Sequence, residues 1–199
     1  MKSPPAESVS RHLLGLAALA EKVAVEMAGA IGEIAEEIVQ TFERGGKLMF
    51  CGNGGSAADA QHLATEYVVR FRRSRRPFAA IALTTDTSLL TAAANDMGFE
   101  EVFARQIRAL GVPGDLLILH STSGVSPNLI AAARAARQAG IGSVALLARG
   151  GGPLLGEVDR ALVLPTTDGA HAQEVQIAVG HALCDLVEAR LSETTVERL

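Results

Sequence analysis

Tryptophan is absent from the 199 residues, tyrosine occurs once, and aromatic residues make up only 4% of the chain. That scarcity leaves no cluster of rings on which successive nucleic-acid bases could stack. Cysteine is nearly as rare, with Cys51 at the end of an apolar run and Cys184 inside a predicted helix. Two such thiols exclude a disulfide framework, and the reducing cytoplasm is the expected compartment. Positive charge is not in excess either: 18 lysines and arginines stand against 22 acidic residues, for a formal net charge of −4. No general field attracts phosphate backbones or anionic membranes, so nucleic acid is not an expected partner. No uninterrupted apolar run approaches the roughly 20 residues of a membrane span, and the opening MKSPPAESVSR lacks the apolar stretch of a secretory signal. A soluble protein with no membrane partner is expected.

What the chain does have is a hydrophobic content of 48%, ample for a core in one compact domain spanning residues 1–199. From Ala6 to Arg44 apolar residues recur at helical spacing, which reads as one long helix or two in succession, closed by Gly45-Gly46. Five short apolar runs follow: Lys47 to Cys51, Phe78 to Thr84, Asp115 to His120, Ser143 to Leu147 and Arg160 to Leu164. Helical segments separate most of them, including Pro127 to Ala139, and Gln173 to Leu191 follows the last. Alternating strands and helices predict an α/β three-layer sandwich, with a five-stranded parallel sheet of the flavodoxin-like, doubly wound kind. Residues 1–45 add an N-terminal helical segment. In such sheets ligands bind beyond the carboxyl ends of the strands.

Two strands end in loops of unusual composition. The first gives way to Gly52-Asn53-Gly54-Gly55-Ser56 and the third to Ser121-Thr122-Ser123-Gly124-Val125-Ser126, and each loop opens a helix. Small residues let a backbone approach an anion, hydroxyls donate to its oxygens, and a helix start favours negative charge. One such loop alone is more often turn geometry, with glycine for positive φ and serine as cap. Two at the same sheet edge, the second with four hydroxyls, suit a sugar phosphate. Ala57 stands where a dinucleotide fingerprint needs glycine, and neither loop has the Gly-Lys-Ser/Thr ending of a P-loop.

The helix opened by the first loop carries His62 and Glu66, four residues apart and about 40° apart around the axis. Such a pair can meet one zinc ion, although on a helix surface it is more often a simple hydrogen bond or ion pair. On the last helix Gln173 and His181 are eight apart, about 80° around the axis. His181 lies in the apolar VGHALCDLV, where a core histidine with a hydrogen-bond partner is the plainer reading. Spacing alone does not bring the two helices together.

With these residues in view, the chain resembles the sugar isomerase domain family, and within it the bacterial phosphoheptose isomerases. The stretches that carry the resemblance are GGKLMFCGNGGSAADAQHLATEYVVRF, AANDMGF, GDLLILHSTSGVS and AQEVQIAVGH. It implies conversion of D-sedoheptulose 7-phosphate to D-glycero-D-manno-heptose 7-phosphate through an enediol, feeding heptose biosynthesis for surface polysaccharide. It also implies a homotetramer with active sites between subunits, in which residues 1–45 pack. By the same resemblance one zinc ion per site is held by His62, Glu66, Gln173 and His181. Glu66 and His181 are then the catalytic pair. Asn53, Gly54, Gly55, Ser56, Glu66, Arg70, Asn95, Asp96, Ser121, Thr122, Ser123, Ser126 and Gln173 contact substrate.

Two features depart from the isomerase pattern: Val125 replaces an asparagine in the serine-rich loop, and TTDGAHAQE lacks the basic residue usual before the last helix. Other members of the family bind a replication initiator without isomerase chemistry, and IALTTDTSLLTAAAND and QIRALG look as much like those proteins. A sugar-phosphate sensor without catalysis is a third reading. Arg70, Arg72, Arg73, Arg75 and Arg76 crowd into seven residues and read as a solvated loop, and Asp185 is placed to orient His181 or to form an ordinary helix-face pair.

Overall fold

The computed structural model describes residues 5–196, with side chains followed through residue 192. Two helices lead, α1 (Pro5–Glu26) and α2 (Ala28–Glu43). They part at Met27, whose φ of −122° and ψ of 0° interrupt the helical run for a single residue. There follow β1 (Leu48–Gly52), α3 (Gly55–Val68), β2 (Ala80–Ala82), α4 (Thr87–Met97), α5 (Ala104–Leu110), β3 (Leu116–His120), α6 (Pro127–Gln138), β4 (Gly142–Leu147), β5 (Arg160–Val163) and α7 (Gly169–Val196), with two short 3-10 turns.

The five strands form one parallel sheet in the order β2-β1-β3-β4-β5. Their sequences are continuous apolar runs because both sheet faces are covered. Along β1 and β3, Leu48, Phe50, Leu116 and Ile118 point into a core closed by α1, α2, α3 and α7. The alternate residues Met49, Cys51, Leu117 and Leu119 point into a second core closed by α4, α5 and α6. The edge strand β2 is shorter than the expected Phe78 to Thr84. Phe78 is turned toward the helical layer: its N–H donates to the Tyr67 carbonyl at 3.1 Å and its ring stacks on Phe42 at 4.9 Å. The last helix starts earlier than expected because Asp168 Oδ1 accepts the N–H groups of Ala170 and His171, at 2.9 and 3.2 Å.

This strand order places the topological switch between β1 and β3, whose connections leave for opposite faces. Gly52 and His120 are register partners at the carboxyl end of that pair. The glycine loop and the serine-rich loop therefore lie side by side.

Candidate active site at the switch point and the α3–α7 face

The glycine loop is tight by necessity. A Cβ on Gly52 would lie 2.5 Å from the Ser56 carbonyl oxygen, and Gly54 has a φ of +57°. Ser56 is buried beneath the turn. Asn53 exchanges amide hydrogen bonds with Asn128, at 2.9 and 2.8 Å, which locks the loop to the start of α6. Asn128 had no signal in the sequence, since it is one polar residue at the head of an alanine-rich helix.

In the second loop Ser121 is buried, and its Oγ accepts the Gly124 N–H at 3.0 Å. Ser123 Oγ accepts the Val125 N–H at 3.5 Å. Thr122 is half-buried, and Ser126 holds the N-cap position of α6 without making a capping bond. A Cβ on Gly124, whose φ is +65°, would meet the Gly151 carbonyl oxygen, so the loop after β4 packs directly behind. Beneath lies His120, fully buried with neither ring nitrogen partnered, and burial lowers its pKa to about 4. The imidazole at the base of the site is thus held neutral.

The catalytic candidates lie on the helical face. Gly180 brings α7 against α3: a Cβ there would come 2.6 Å from the buried Leu63 side chain. That close approach sets His181 beside His62, with their Nε2 atoms 2.8 Å apart. Glu66 Oε1 is 3.4 Å from His62 Nε2, and one donor atom from each of His62, Glu66 and His181 lies within 4.8 Å of the others. His181 is not a core histidine. It is half-buried and stacks on Phe71 at 5.1 Å. Its pKa is lowered by burial first, then by His62 and Arg72, against an opposing pull from Glu66. A neutral imidazole with a lone pair to offer is therefore favoured there.

Gln173 approaches from the first turns of α7, with its amide nitrogen 2.5 Å from where a Cβ on Gly55 would stand. It touches the start of α3, whereas His62 and Glu66 lie further along that helix. Arg70 is exposed just beyond the end of α3. Asn95 and Asp96 lie exposed on α4, hydrogen-bonded to each other at 2.8 Å.

Two groups in this region went unread in the sequence. Asp59, one turn before His62, has a buried carboxylate oxygen with no partner, and burial raises its pKa to about 6 against the opposing pull of His62. Glu188, fully buried on α7, accepts the backbone N–H groups of Phe71, Arg72 and Arg73 at 2.7, 2.8 and 2.9 Å, and Arg75 Nε at 2.9 Å. Burial opposes its charge, but these donors win and hold its pKa below the usual carboxylate value. The expectation of a solvated arginine loop holds for Arg70, Arg72, Arg73 and Arg76, which are exposed, and is corrected for Arg75, whose side chain is only 4% exposed. Asp185 pairs with Arg72 at 3.2 Å and Arg73 at 3.7 Å, an ordinary surface arrangement.

Fold and site together define an α/β domain with two anion-suited loops at its switch point and a His-Glu-His cluster on the adjoining helices. The family model described as the SIS domain matches residues 13–148. The chain is 58% identical over 160 residues to the phosphoheptose isomerase of Roseiflexus sp. (strain RS-1), covering 80% of this chain and 81% of that one. It is 49% identical over 191 residues to that of Trichlorobacter lovleyi, covering 96% and 95% of the two chains. The structure of phosphoheptose isomerase from Neisseria gonorrhoeae superimposes with a TM-score of 0.89 at 39% identity, covering 94% of this chain and all of that one. The chain belongs to the SIS domain family and, within it, to the phosphoheptose isomerases.

Proposed function

We propose that this chain interconverts D-sedoheptulose 7-phosphate and D-glycero-D-manno-heptose 7-phosphate, with proton transfer carried by Glu66 and His181. The observation that supports the reading most is the convergence of His62, Glu66 and His181 within 4.8 Å of one another. The substrate carries its phosphate on C7 and reacts at C1 and C2, so its two ends need different surroundings. The hydroxyls of Ser121, Thr122, Ser123 and Ser126 and the helix starts at both loops suit the phosphate. His62 is seven residues beyond Gly55, about 10 Å along α3, which separates the acid–base groups from the anion end.

Moving the carbonyl from C2 to C1 requires loss of a proton from C1 and its return at C2. In our reading the Glu66 carboxylate takes the C1 proton while His181 gives one to the C2 oxygen, forming the enediol. Glu66, its proton exchanged with solvent during the life of the enediol, then protonates C2 while His181 takes the proton of the C1 hydroxyl, which yields the aldose and restores both groups. Asn53, Gly54, Gly55, Ser56, Arg70, Asn95, Asp96 and Gln173 orient the sugar, some of them from a neighbouring subunit.

Two imidazoles and a carboxylate make a donor set that suits zinc. His62, Glu66 and His181, completed by Gln173, would hold one ion, which when bound polarises the substrate carbonyl. Glu66 faces His62 through Oε1, so its Oε2 is our candidate for taking the proton. A homotetramer is supported by the apolar residues that α1 leaves open, Val9, Leu13 and Leu14, each at least 57% exposed. We place the enzyme in the cytoplasm; among the described residues no helix is long and apolar enough to cross a membrane.

The initiator-binding reading gains nothing from the geometry, since the segments that suggested it fall mainly on α4 and α5, across the sheet from α3 and α7. The test is turnover of sedoheptulose 7-phosphate by purified protein, with zinc, with chelator, and with zinc restored. Activity lost to chelator and regained with zinc is expected. Unchanged activity in chelator would remove the metal from the account, and no product under any condition would overturn the isomerase reading.

A further inference from the structure

A second cluster of metal-ligating side chains lies where α1 meets the first turns of α7. His12 comes from α1, and His171 and Glu174 from α7. One donor atom of each lies within 4.8 Å of the others. His12 Nε2 is 3.0 Å from Glu174 Oε1, His12 Nδ1 is 3.2 Å from His171 Nε2, and the two rings are 4.5 Å apart. Glu174 is seven residues from His181, about 10 Å along α7, so the cluster is separate from the α3–α7 group.

We propose that His12, His171 and Glu174 form a second binding site for a divalent transition metal, zinc by its donor set. With His12 neutral, hydrogen bonds among the three leave two defects when no metal is present. If His12 donates from Nε2 to Glu174, its Nδ1 must accept from His171 Nε2–H. A neutral His171 then turns its other lone pair, on Nδ1, toward Asp168 Oδ2 at 3.7 Å. Glu174 Oε2 is also buried without a partner. A metal removes both defects. His171 ligates through Nε2 and carries its proton on Nδ1, directed at Asp168, the carboxylate–histidine–metal arrangement that fixes a ligating imidazole. Glu174 gains a cation for its second oxygen.

The helix opposite is shaped to admit the ring. Gly15 sits inside α1, where glycine costs about 1 kcal/mol relative to alanine, and a Cβ there would come 2.7 Å from His171 Cε1. Two imidazoles and one carboxylate are a ligand set of open zinc sites. The His12 side chain is 42% exposed and the Glu174 side chain 40% exposed, so a water can complete the coordination. Occupancy ties α1 to the turn of α7 that also carries Gln173.

The test uses the full chain, stripped of metal and reloaded with zinc, with bound metal counted after removal of excess. It rests on the proposed α3–α7 centre only for the total, which is expected to be two ions per chain. His12→Gln should lower the count to one and keep isomerase turnover within twofold. A wild-type count of one that His12→Gln does not change, or a count of two retained by His12→Gln, would overturn the proposal. Cobalt(II) titrated into His62→Ala protein reads the second site by itself. A visible absorption band of low-symmetry cobalt is expected and should vanish when His12→Gln is added; no band would overturn the site. If His62→Ala left the zinc count at two, the α3–α7 assignment would fail, while loss of one ion on His12→Gln would still support this one.

Discussion

Two pairs of histidines meet on α7, and their surroundings differ in kind. His62 and His181 face each other from two helices that cover the same sheet face, and α3 begins at a ligand-suited loop beside the switch point. His12 and His171 meet where α7 touches the N-terminal arm, much of whose apolar stripe is open. Glycine serves both contacts: Gly180 admits Leu63 and lets α3 approach, while Gly15 admits the His171 ring. Similar side chains thus acquire different prospects from the backbone that holds them. In the function proposed above the first group reaches a substrate anchored at the sheet edge, and in the second proposal the other group binds an ion that ties two helices together.

The largest expected stability effect comes from breaking the junction that belongs to the first group alone. Glu188→Gln removes the charge that holds Arg75 and the backbone of residues 71–73, leaving a buried guanidinium without its counter-ion. Breaking such a pair costs about 3–5 kcal/mol, so the melting temperature should drop by about 10 °C, measured by calorimetry. Turnover should fall with it, because Phe71, which stacks on His181, hangs from the same carboxylate.

A third imidazole sharpens the contrast, because His120 is buried with neither ring nitrogen hydrogen-bonded. Its pKa, lowered to about 4, means that the folded state binds fewer protons than the unfolded state between pH 4 and 6.5. Its contribution to stability is complete above about pH 6.5 and is lost as pH falls through 4, on the order of 3 kcal/mol in all. His120→Leu should flatten that acid limb in denaturant titrations run from pH 7 to pH 4. An unchanged limb would assign the acid sensitivity to other groups.

The smallest effects come from the two glycines, and they should differ in sign. Gly180→Ala forces a methyl group against buried Leu63 and should cost about 1–3 kcal/mol, with turnover reduced as His181 shifts. Gly15→Ala displaces the His171 ring but gains about 1 kcal/mol of helix propensity. Its stability in chelator should hold or rise slightly while turnover is kept.

Much of this architecture can be read from the chain because buried parallel strands are continuous apolar runs, and paired glycines mark both ends of β1. The five strands fall where those runs fall, with β2 trimmed by the pull of Phe78 toward Tyr67. The two loops were legible because their composition exceeds what a turn needs. Helix periodicity gave His62 and Glu66 a common face, but which helix packs beside α3 is a property of the fold. Asp59, Asn128 and Glu188 escaped notice for another reason. A single polar residue in a helix carries no signal until burial and its partners are known, and the same holds for His12, whose partners lie about 160 positions later.

The most direct test of the central claim, that proton transfer runs through Glu66, follows deuterium rather than net turnover. Sedoheptulose 7-phosphate incubated in heavy water with the wild-type enzyme should give aldose deuterated at C2, read by NMR, because the proton on the Glu66 carboxyl exchanges with solvent before C2 is protonated. Glu66→Gln, which keeps the shape of the side chain and removes its basicity, should slow that incorporation about a thousandfold or more while leaving the melting temperature nearly unchanged. Incorporation at the wild-type rate in Glu66→Gln protein would contradict the account.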